Sequence, residues 1–291
     1  MQPLYLIDSS VYIFRAWFSL DDRLRDEDGQ PANAVFGFGN VLLDFLSSNR
    51  PRHVMAAFDE SLTTCFRNEF YPQYKANRPP APEDLKRQIG ICQRLACGLG
   101  LLTLASDRYE ADDLIGTVAT RFRADGYAMR FITTDKDYAQ LLEPGDRLWD
   151  IGGRRNLDCD GVIREFGVRA DQVADLLALA GDSVDNIPGV PGIGAKTAAV
   201  LLRHLGGLDG IYERLEQVPT LPLRGARRVH RLLAEHRDLA EVSLRLATIH
   251  REAPLDLALD ALRLGEPDAR LLDDLPLPGR VRRRVDALLG R

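Results

Sequence analysis

Lysine and cysteine are both scarce in this chain of 291 residues. The basic side chains are 34 arginines and only 4 lysines, so each lysine draws attention. The four cysteines form no C-x-x-C pair and lack histidines at metal-binding spacing, which excludes a disulfide framework and a zinc finger. These are Cys65, Cys92, Cys97 and Cys159.

Targeting segments are also lacking. No apolar run approaches membrane-spanning length, and the N-terminus has neither the basic start nor the apolar stretch of a signal peptide. We therefore expect a cytoplasmic protein with reduced thiols and no membrane partner.

The net charge of −5 argues at first against a nucleic-acid partner, because binding to phosphates depends on Lys and Arg. The charge is uneven, however: residues 1–220 carry a net −8 and residues 221–291 a net +3. If eight carboxylates of the first part met at one metal site, the remainder would sum to +3. With 45% hydrophobic and 28% charged residues, the composition is that of a globular protein of one large or two small domains.

Short apolar runs rich in β-formers alternate with helical patterns, which predicts an α/β fold with a mostly parallel central sheet flanked by helices. The predicted strands are residues 4–7, 53–58, 101–104, 129–133 and 148–151. The predicted helices include residues 84–99, 111–123, 170–179 and 195–204. Because strand signals nearly vanish after residue 160, we expect an α/β domain over residues 1–160 and a helical lobe over residues 161–291.

Acids stand at the ends of these elements. Asp8, Asp59 and Asp135 follow predicted strands, and ligands bind beyond the carboxyl ends of the strands in open α/β sheets. Eight acids at element ends form the predicted site: Asp8, Glu110, Asp112, Asp113, Asp135, Asp137, Asp182 and Asp185. Taken singly, each has a plain structural explanation as a partner of the helix dipole, an N-cap or an Asx turn. Caps and turns alone do not explain why such acids recur at four separate places in the sequence.

Clustered carboxylates repel one another, and divalent cations are the usual way to neutralise such a site. Oxygen ligands without His or Cys favour Mg²⁺ or Mn²⁺ over zinc. Two such ions about 4 Å apart activate water and stabilise both the entering and the leaving oxygen of a phosphoryl displacement. The sequence therefore predicts phosphodiester hydrolysis with two or more bound ions.

A glycine-rich stretch over residues 189–197 runs into a predicted helix. It differs from a P-loop because Ala195 separates Gly194 from Lys196 and no strand precedes it. We interpret it as a glycine hairpin whose free N–H groups hold a DNA phosphate, with Lys196 as a point charge; a plain connection between helices is the alternative. The predicted contacts are Gly192, Ile193, Gly194, Ala195, Lys196 and Thr197.

A polar stretch between residues 60 and 82 is too long for a tight turn and ends in a run of prolines. Its aromatic and basic side chains suit base stacking and phosphate binding beside a metal site, so we predict contacts with DNA; a solvated basic loop is the alternative. The residues concerned are Arg67, Tyr74, Lys75 and Arg78.

Together these motifs resemble those of the bacterial 5′ nuclease family, the flap endonucleases that include the 5′-3′ exonuclease domain of DNA polymerase I. The resemblance covers essentially the whole chain. It is carried by residues 6–8, 58–59, 66–67, 74–78, 110–113, 134–137 and 181–196. Two departures are small: Ser9 stands where Gly is common, and no polymerase domain follows within the 291 residues.

The resemblance implies that the eight acids hold the catalytic metals and that Lys75 and Arg78 belong to a helical arch, about residues 60–85, that passes a single-stranded 5′ end. It implies a helix-three-turn-helix element over about residues 170–206 that grips the duplex backbone and binds K⁺ through backbone carbonyls. The matching carbonyls belong to Leu179, Ala180, Pro188, Val190 and Ile193.

We therefore expect a monomeric, Mg²⁺-dependent 5′-3′ exonuclease and flap endonuclease of replication or repair, associated with the nucleoid. Its expected substrate is DNA with 5′ flaps, nicks or ends; an RNA/DNA hybrid and a separate DNA polymerase are further candidate partners. One alternative is a non-catalytic DNA-junction binder, which would be marked by loss of acids. Another is a small single-domain ribonuclease, for which about 120 residues beyond Asp160 would be superfluous.

Overall fold

Six strands form one sheet in the order β3-β2-β1-β4-β5-β6 in the computed structural model, which describes residues 1–60, 65–153 and 155–291. Strands β1 to β5 are parallel and β6 is antiparallel to β5. The strands are β1 Gln2–Asp8, β2 Val54–Asp59, β3 Leu102–Ser106, β4 Tyr127–Ile132, β5 Arg147–Trp149 and β6 Asn156–Leu157. The predicted α/β class with a mostly parallel sheet is confirmed.

Helices surround this sheet and make up most of the chain after β6. They are α1 Ser9–Ser19, α2 Asn33–Asn49, α3 Phe66–Phe70, α4 Glu83–Gly98, α5 Ala111–Arg123, α6 Cys159–Phe166, α7 Val173–Ala180, α8 Ala195–Leu205, α9 Leu208–Glu213, α10 Ala226–Glu235, α11 Arg237–Ala247, α12 Ala269–Asp273 and α13 Gly279–Leu288. Among the described residues, no helix has both the length and the apolar character to cross a membrane.

The two faces of the sheet are buried in two hydrophobic clusters. Neighbouring residues of a strand point to opposite faces, so Leu6 lies in the first cluster and Ile7 in the second. The second cluster contains α1, α2 and α4. The first contains α5 and continues without a break into α7, α8 and α11. The helical part therefore shares one core with the sheet.

The last helices return to the sheet rather than staying with the other late helices. Leu272 of α12 and Val281 of α13 are fully buried in the second cluster, against α4 and α2. A Cβ on Gly98 would lie 2.8 Å from Leu272 Cδ2, so α12 packs directly on the end of α4. The division at residue 160 stays a prediction, and it did not anticipate this return.

The segment predicted as a helical arch, about residues 60–85, has little helix in its described part. Only α3 and the start of α4 are helical, and the residues between them form turns and an extended stretch. Pro79, Pro80 and Pro82 account for this, because proline lacks the N–H that a helix interior needs. Residues 61–64 of the predicted arch lie outside the described residues. The described part is therefore a turn-rich loop.

Candidate active site

A cleft of about 870 Å³ opens at the carboxyl edge of the sheet, and acidic side chains dominate its polar lining. The acids that line it are Asp8, Asp59, Glu110, Asp112, Asp135, Asp137 and Asp185. The structure thus brings six of the eight predicted acids to one cleft. Asp113 and Asp182 are buried beside it and do not line it.

Sheet topology explains the convergence. Asp8 ends β1 and Asp59 ends β2, and Asp135 follows β4 on the other side of β1. Because these three strands are adjacent and parallel, their carboxyl ends meet at one edge.

Asp59 is a site residue that the predicted set omitted. Its Oδ1 accepts a hydrogen bond from the Ala111 backbone N–H at 2.8 Å, and burial is the main cause that raises its pKa. The sequence carried a signal for it, since Asp59 comes directly after the apolar run of residues 53–58 that predicts a strand.

Asp8 is the most enclosed acid of the cleft floor. Its Oδ2 accepts a hydrogen bond from Thr133 Oγ1 at 3.0 Å, and its Oδ1 is buried with no hydrogen-bond partner among the described residues. Burial raises the pKa of Asp8 to about 8, helped by the charges of Asp59 and Asp135. An unpartnered buried oxygen of this kind is a free ligand for a hard cation.

Asp135 and Asp137 form a second pair of acids. The Asp137 backbone N–H donates to Asp135 Oδ1 at 2.9 Å, and Asp137 Oδ1 is another buried oxygen without a partner among the described residues. Burial raises the pKa of both groups, and the charge of Asp135 raises that of Asp137 further.

Helix α5 supplies three acids from its first turn. Glu110, Asp112 and Asp113 each offer a carboxylate oxygen within 4.8 Å of the others, a spacing that fits one metal ion. Burial raises the pKa of Asp112, and the charge of Asp113 adds to that effect. Asp113 Oδ2 also accepts the Glu110 backbone N–H at 3.1 Å, which caps the helix.

Arg67 is fully buried beneath these acids, which corrects its predicted role as a DNA contact. Its guanidinium donates to both oxygens of Asp113, at 2.7 and 2.8 Å, and to Glu110 Oε2 at 2.9 Å. Its remaining donors reach the carbonyls of Leu246 and Thr248, both at 3.0 Å. All five N–H groups are used, so none is left for a phosphate.

The pairing with Arg67 also bears on the predicted role of Asp113 as a metal ligand. Its Oδ1 accepts from Arg67 and from the His250 backbone N–H at 2.8 Å, while its Oδ2 accepts from Arg67 and Glu110. Both oxygens are therefore saturated, and the arrangement favours a positioning role over direct metal ligation.

Tyr74 is likewise buried and not placed for base stacking. Its hydroxyl donates to Glu110 Oε2 at 3.0 Å, and the Arg67 guanidinium lies over its ring. Two predicted DNA contacts of the loop, Arg67 and Tyr74, thus hold Glu110 instead. The sequence carries no local signal for this role, because the buried partners of Arg67 and Tyr74 lie more than 30 residues away.

Lys75 and Arg78 do face the cleft, and both form ion pairs with its acids. Lys75 Nζ contacts Glu110 Oε1 and lies 3.7 Å from Asp185 Oδ2, while Arg78 pairs with Asp185 Oδ1. Burial alone would raise the pKa of Glu110, but Lys75 and Arg67 outweigh it and lower that pKa to about 2. Glu110 is therefore charged, whereas burial raises the pKa of its neighbours Asp59 and Asp112.

The same loop clasps the turn that carries Asp182 and Asp185. The Lys75 backbone N–H donates to the Asp185 carbonyl at 3.0 Å, and Asn77 Nδ2 donates to the Ser183 carbonyl at 2.9 Å. Asp182 accepts a hydrogen bond from Lys136 Nζ, which lowers its pKa against the opposing effect of burial.

The glycine stretch forms a hairpin between α7 and α8, as predicted. Gly192 has φ of +87°, in the region that favours glycine, and Lys196 is exposed in the first turn of α8. The Ile193 side chain is buried, so only its backbone is available to a ligand, and the Thr197 N–H already donates to the Gly194 carbonyl.

Carbonyl oxygens crowd the base of this hairpin. The Leu179 carbonyl accepts the Val190 N–H at 2.9 Å, and the Val190 carbonyl accepts the Ile193 N–H at 2.9 Å. A Cβ on Gly181 would lie 2.9 Å from the Pro188 oxygen. The binding of K⁺ by these carbonyls stays a prediction.

Comparison with known proteins decides the family. Residues 3–167 match the family model of the 5′-3′ exonuclease N-terminal resolvase-like domain, and residues 168–270 match that of the 5′-3′ exonuclease C-terminal SAM fold. The chain belongs to the 5′-3′ exonuclease family. The resemblance that its motifs indicated is confirmed.

Two relatives illustrate the match. A 5′-3′ exonuclease of Aquifex aeolicus is 32% identical over 94% of this chain and 90% of its own length. DNA polymerase I of Pseudomonas aeruginosa is 42% identical over 93% of this chain, which spans only 30% of that protein.

Solved structures share the fold. The T5 D15 protein co-crystallised with metal ions has a TM-score of 0.67 at 20% identity, with 99% of both chains covered. The catalytic core of Rad2 in complex with DNA substrate has a TM-score of 0.62 at 13% identity, covering 99% of this chain and 92% of that one.

We predict that the metal-free protein becomes less stable as the pH rises from about 4 to 8. The folded state keeps a proton on Asp8 up to a pKa of about 8, whereas an unfolded aspartate loses it near 3.8. The folded state then binds more protons, so the free energy of unfolding falls as pH rises. Thermal denaturation in excess chelator measures this.

Asp8→Asn should flatten that pH dependence, and Asp28→Asn, at an exposed position, should leave it unchanged. A flat profile for the wild type in chelator would contradict the buried, proton-bearing state of Asp8.

We also predict that Arg67→Met lowers the free energy of unfolding by about 3–5 kcal/mol, because it leaves buried carboxylates without their partner. Arg245→Met is the control, since Arg245 is exposed and only stacks on Phe70; it should cost less than about 1 kcal/mol. Chemical denaturation gives both values. Equal losses for the two variants would contradict the proposed importance of the buried pair.

Proposed function

We propose that this chain is a structure-specific 5′ nuclease that hydrolyses phosphodiester bonds of DNA carrying 5′ flaps, nicks or ends. The observation that carries the proposal is the cleft with seven acids, two of which hold buried oxygens without a hydrogen-bond partner among the described residues. Oxygen ligands without His or Cys suit Mg²⁺ or Mn²⁺. A catalytically idle junction binder would have no reason to keep such a cluster.

The proposed ligands are the acids that face the cleft, with Asp59 added to the predicted set and Asp182 supporting the turn of Asp185. Bound divalent ions supply an activated water and stabilise the charge of the phosphoryl displacement. Asp8 must release its proton before it can ligate, because burial raises its pKa to about 8 in the metal-free protein. Arg67 holds Asp113 and Glu110 in place.

Lys75 and Arg78 are proposed to exchange partners during this cycle. Both pair with acids in the metal-free structure. A divalent ion held by those acids would weaken these ion pairs, and the two cations would then be available to a phosphate in the same cleft. Charges fixed in this way favour the developing negative charge of the transition state.

The hairpin is proposed to grip the duplex and take no part in bond breaking. Gly192 to Lys196 are exposed apart from Ile193, and the start of α8 offers N–H groups to a phosphate. A K⁺ ion bound by the backbone carbonyls at the base of the hairpin would make this phosphate-binding segment more rigid.

The deciding experiment is digestion of a 5′-labelled flap, a nicked duplex and single-stranded DNA, with product lengths determined on a gel. We expect cleavage of the flap with Mg²⁺ or Mn²⁺ and none in excess chelator. Asp112→Asn should reduce the rate by at least about 10²-fold, by analogy with the loss of single electrostatic groups.

The matched control is Asp125→Asn, which removes an exposed acid at the far end of the same helix and should cleave like the wild type. Asp112→Asn should also keep or raise the thermal stability of the metal-free protein, since it relieves repulsion. Full activity in chelator would refute the metal assignment, and wild-type binding without any cleavage would favour the junction binder.

Lys75→Ala should slow single-turnover cleavage by about 10²-fold, because it removes a cation that faces the cleft. It should not weaken Mg²⁺ binding, because Lys75 pairs with Glu110 and so competes with the ion for that carboxylate. Lys86→Ala is the control, since Lys86 lies on the surface of α4 and pairs with Glu83 at 2.7 Å. Equal cleavage rates for the two variants would mean that Lys75 makes no contribution to catalysis.

A further inference from the structure

Helix α10 carries a cluster of arginines that the proposed active site does not use. Arg224 precedes the helix, and Arg227, Arg228 and Arg231 lie on it; all four are exposed. No acidic residue occurs between Glu216 and Glu235. The whole chain has a net charge of −5, so this stretch differs in sign from the chain as a whole.

Three of these arginines have no acidic partner among the described residues. Arg231 lies 3.6 Å from Glu235, whereas the ion pairs of the described chain include none for Arg224, Arg227 or Arg228. The next arginine along the chain, Arg237, is paired with Glu241. The α10 cluster therefore presents uncompensated positive charge to solvent.

The cluster adjoins the glycine hairpin. A Cβ on Gly192 would lie 3.2 Å from Leu232 Cδ1 and 3.4 Å from Arg228 Nη2. Leu232 and Arg228 are one helical turn apart, so that face of α10 lies against the turn of the hairpin. The positive surface of α10 and the N–H groups of α8 are thus parts of one continuous area.

We propose that α10 is a second phosphate-binding element, which extends the hairpin's grip along the backbone of the same DNA duplex. Arg227 and Arg228 are the two cations assigned to the phosphates, because both are exposed and neither has an acidic partner among the described residues. Arginine also suits phosphate because its planar fork donates two hydrogen bonds at once.

A membrane surface is the other partner that a basic amphipathic helix suits, and the packing argues against it. Insertion would need the apolar face of α10, but Val229 and Leu233 are buried in the core. Only the charged face is accessible, which is what a phosphate backbone requires.

The inference rests on the proposed function, and the salt dependence of binding tests it. Fluorescence anisotropy with a flap substrate in Ca²⁺, which blocks cleavage, gives the dissociation constant at several salt concentrations. Arg227→Ala/Arg228→Ala should reduce the log-log salt slope by about 2, because each phosphate contact contributes about 0.9. Arg227→Lys/Arg228→Lys keeps the charge and should keep most of the slope.

The matched control is Arg280→Ala/Arg283→Ala, which removes two exposed arginines of α13 and changes the net charge equally. Its slope should equal that of the wild type. An equal reduction in both double variants would mean a general charge effect, and an unchanged slope for the α10 variant would mean no contact; either result overturns the inference.

These failures are distinguishable from failure of the proposed function. If the wild type neither binds nor cleaves the flap, the proposed function fails together with the inference. If the wild type binds and cleaves while the α10 variant keeps its slope, only the inference fails.

Discussion

Repulsion among carboxylates is the constraint on which the rest of this structure depends. Parallel strands deliver Asp8 and Asp59 to one edge, and α5 adds Glu110 and Asp112. Without counter-charges, such a cluster would destabilise the fold. The metal-free protein meets this in two ways: buried acids keep protons, as the raised pKa of Asp8 indicates, and arginine or lysine pairs with the others.

The counter-charges are arranged by depth. Arg67 is locked under the acids with every donor used, so it is a permanent partner. Lys75 pairs with Glu110 and Arg78 pairs with Asp185, and both lie on a loop that a few hydrogen bonds attach to the turn of Asp185. Arg67 therefore holds the acids in place, whereas Lys75 and Arg78 are more exposed and can pair with a polyanion.

The sequence predicted the sheet well because buried parallel strands are near-continuous apolar runs, as in Val54–Asp59. It also predicted which acids gather, since the edge position follows from strand order. Arg67 and Tyr74 were misjudged because a polar stretch normally faces water, and their burial depends on partners supplied by α5 and α11. The return of α12 to α4 had no local signal, because it is a contact between distant apolar surfaces.

Helix α11 connects the hairpin to the acids. Near its middle, Ser243 Oγ accepts the Gly189 N–H of the hairpin base at 3.0 Å. At its carboxyl end, the Leu246 carbonyl accepts from Arg67, which in turn holds Asp113. If the hairpin holds the duplex as proposed, one helix rather than a linker sets the distance from that duplex to the acids. Cleavage would then occur at a fixed distance from the bound duplex, and that distance would determine the length of the product.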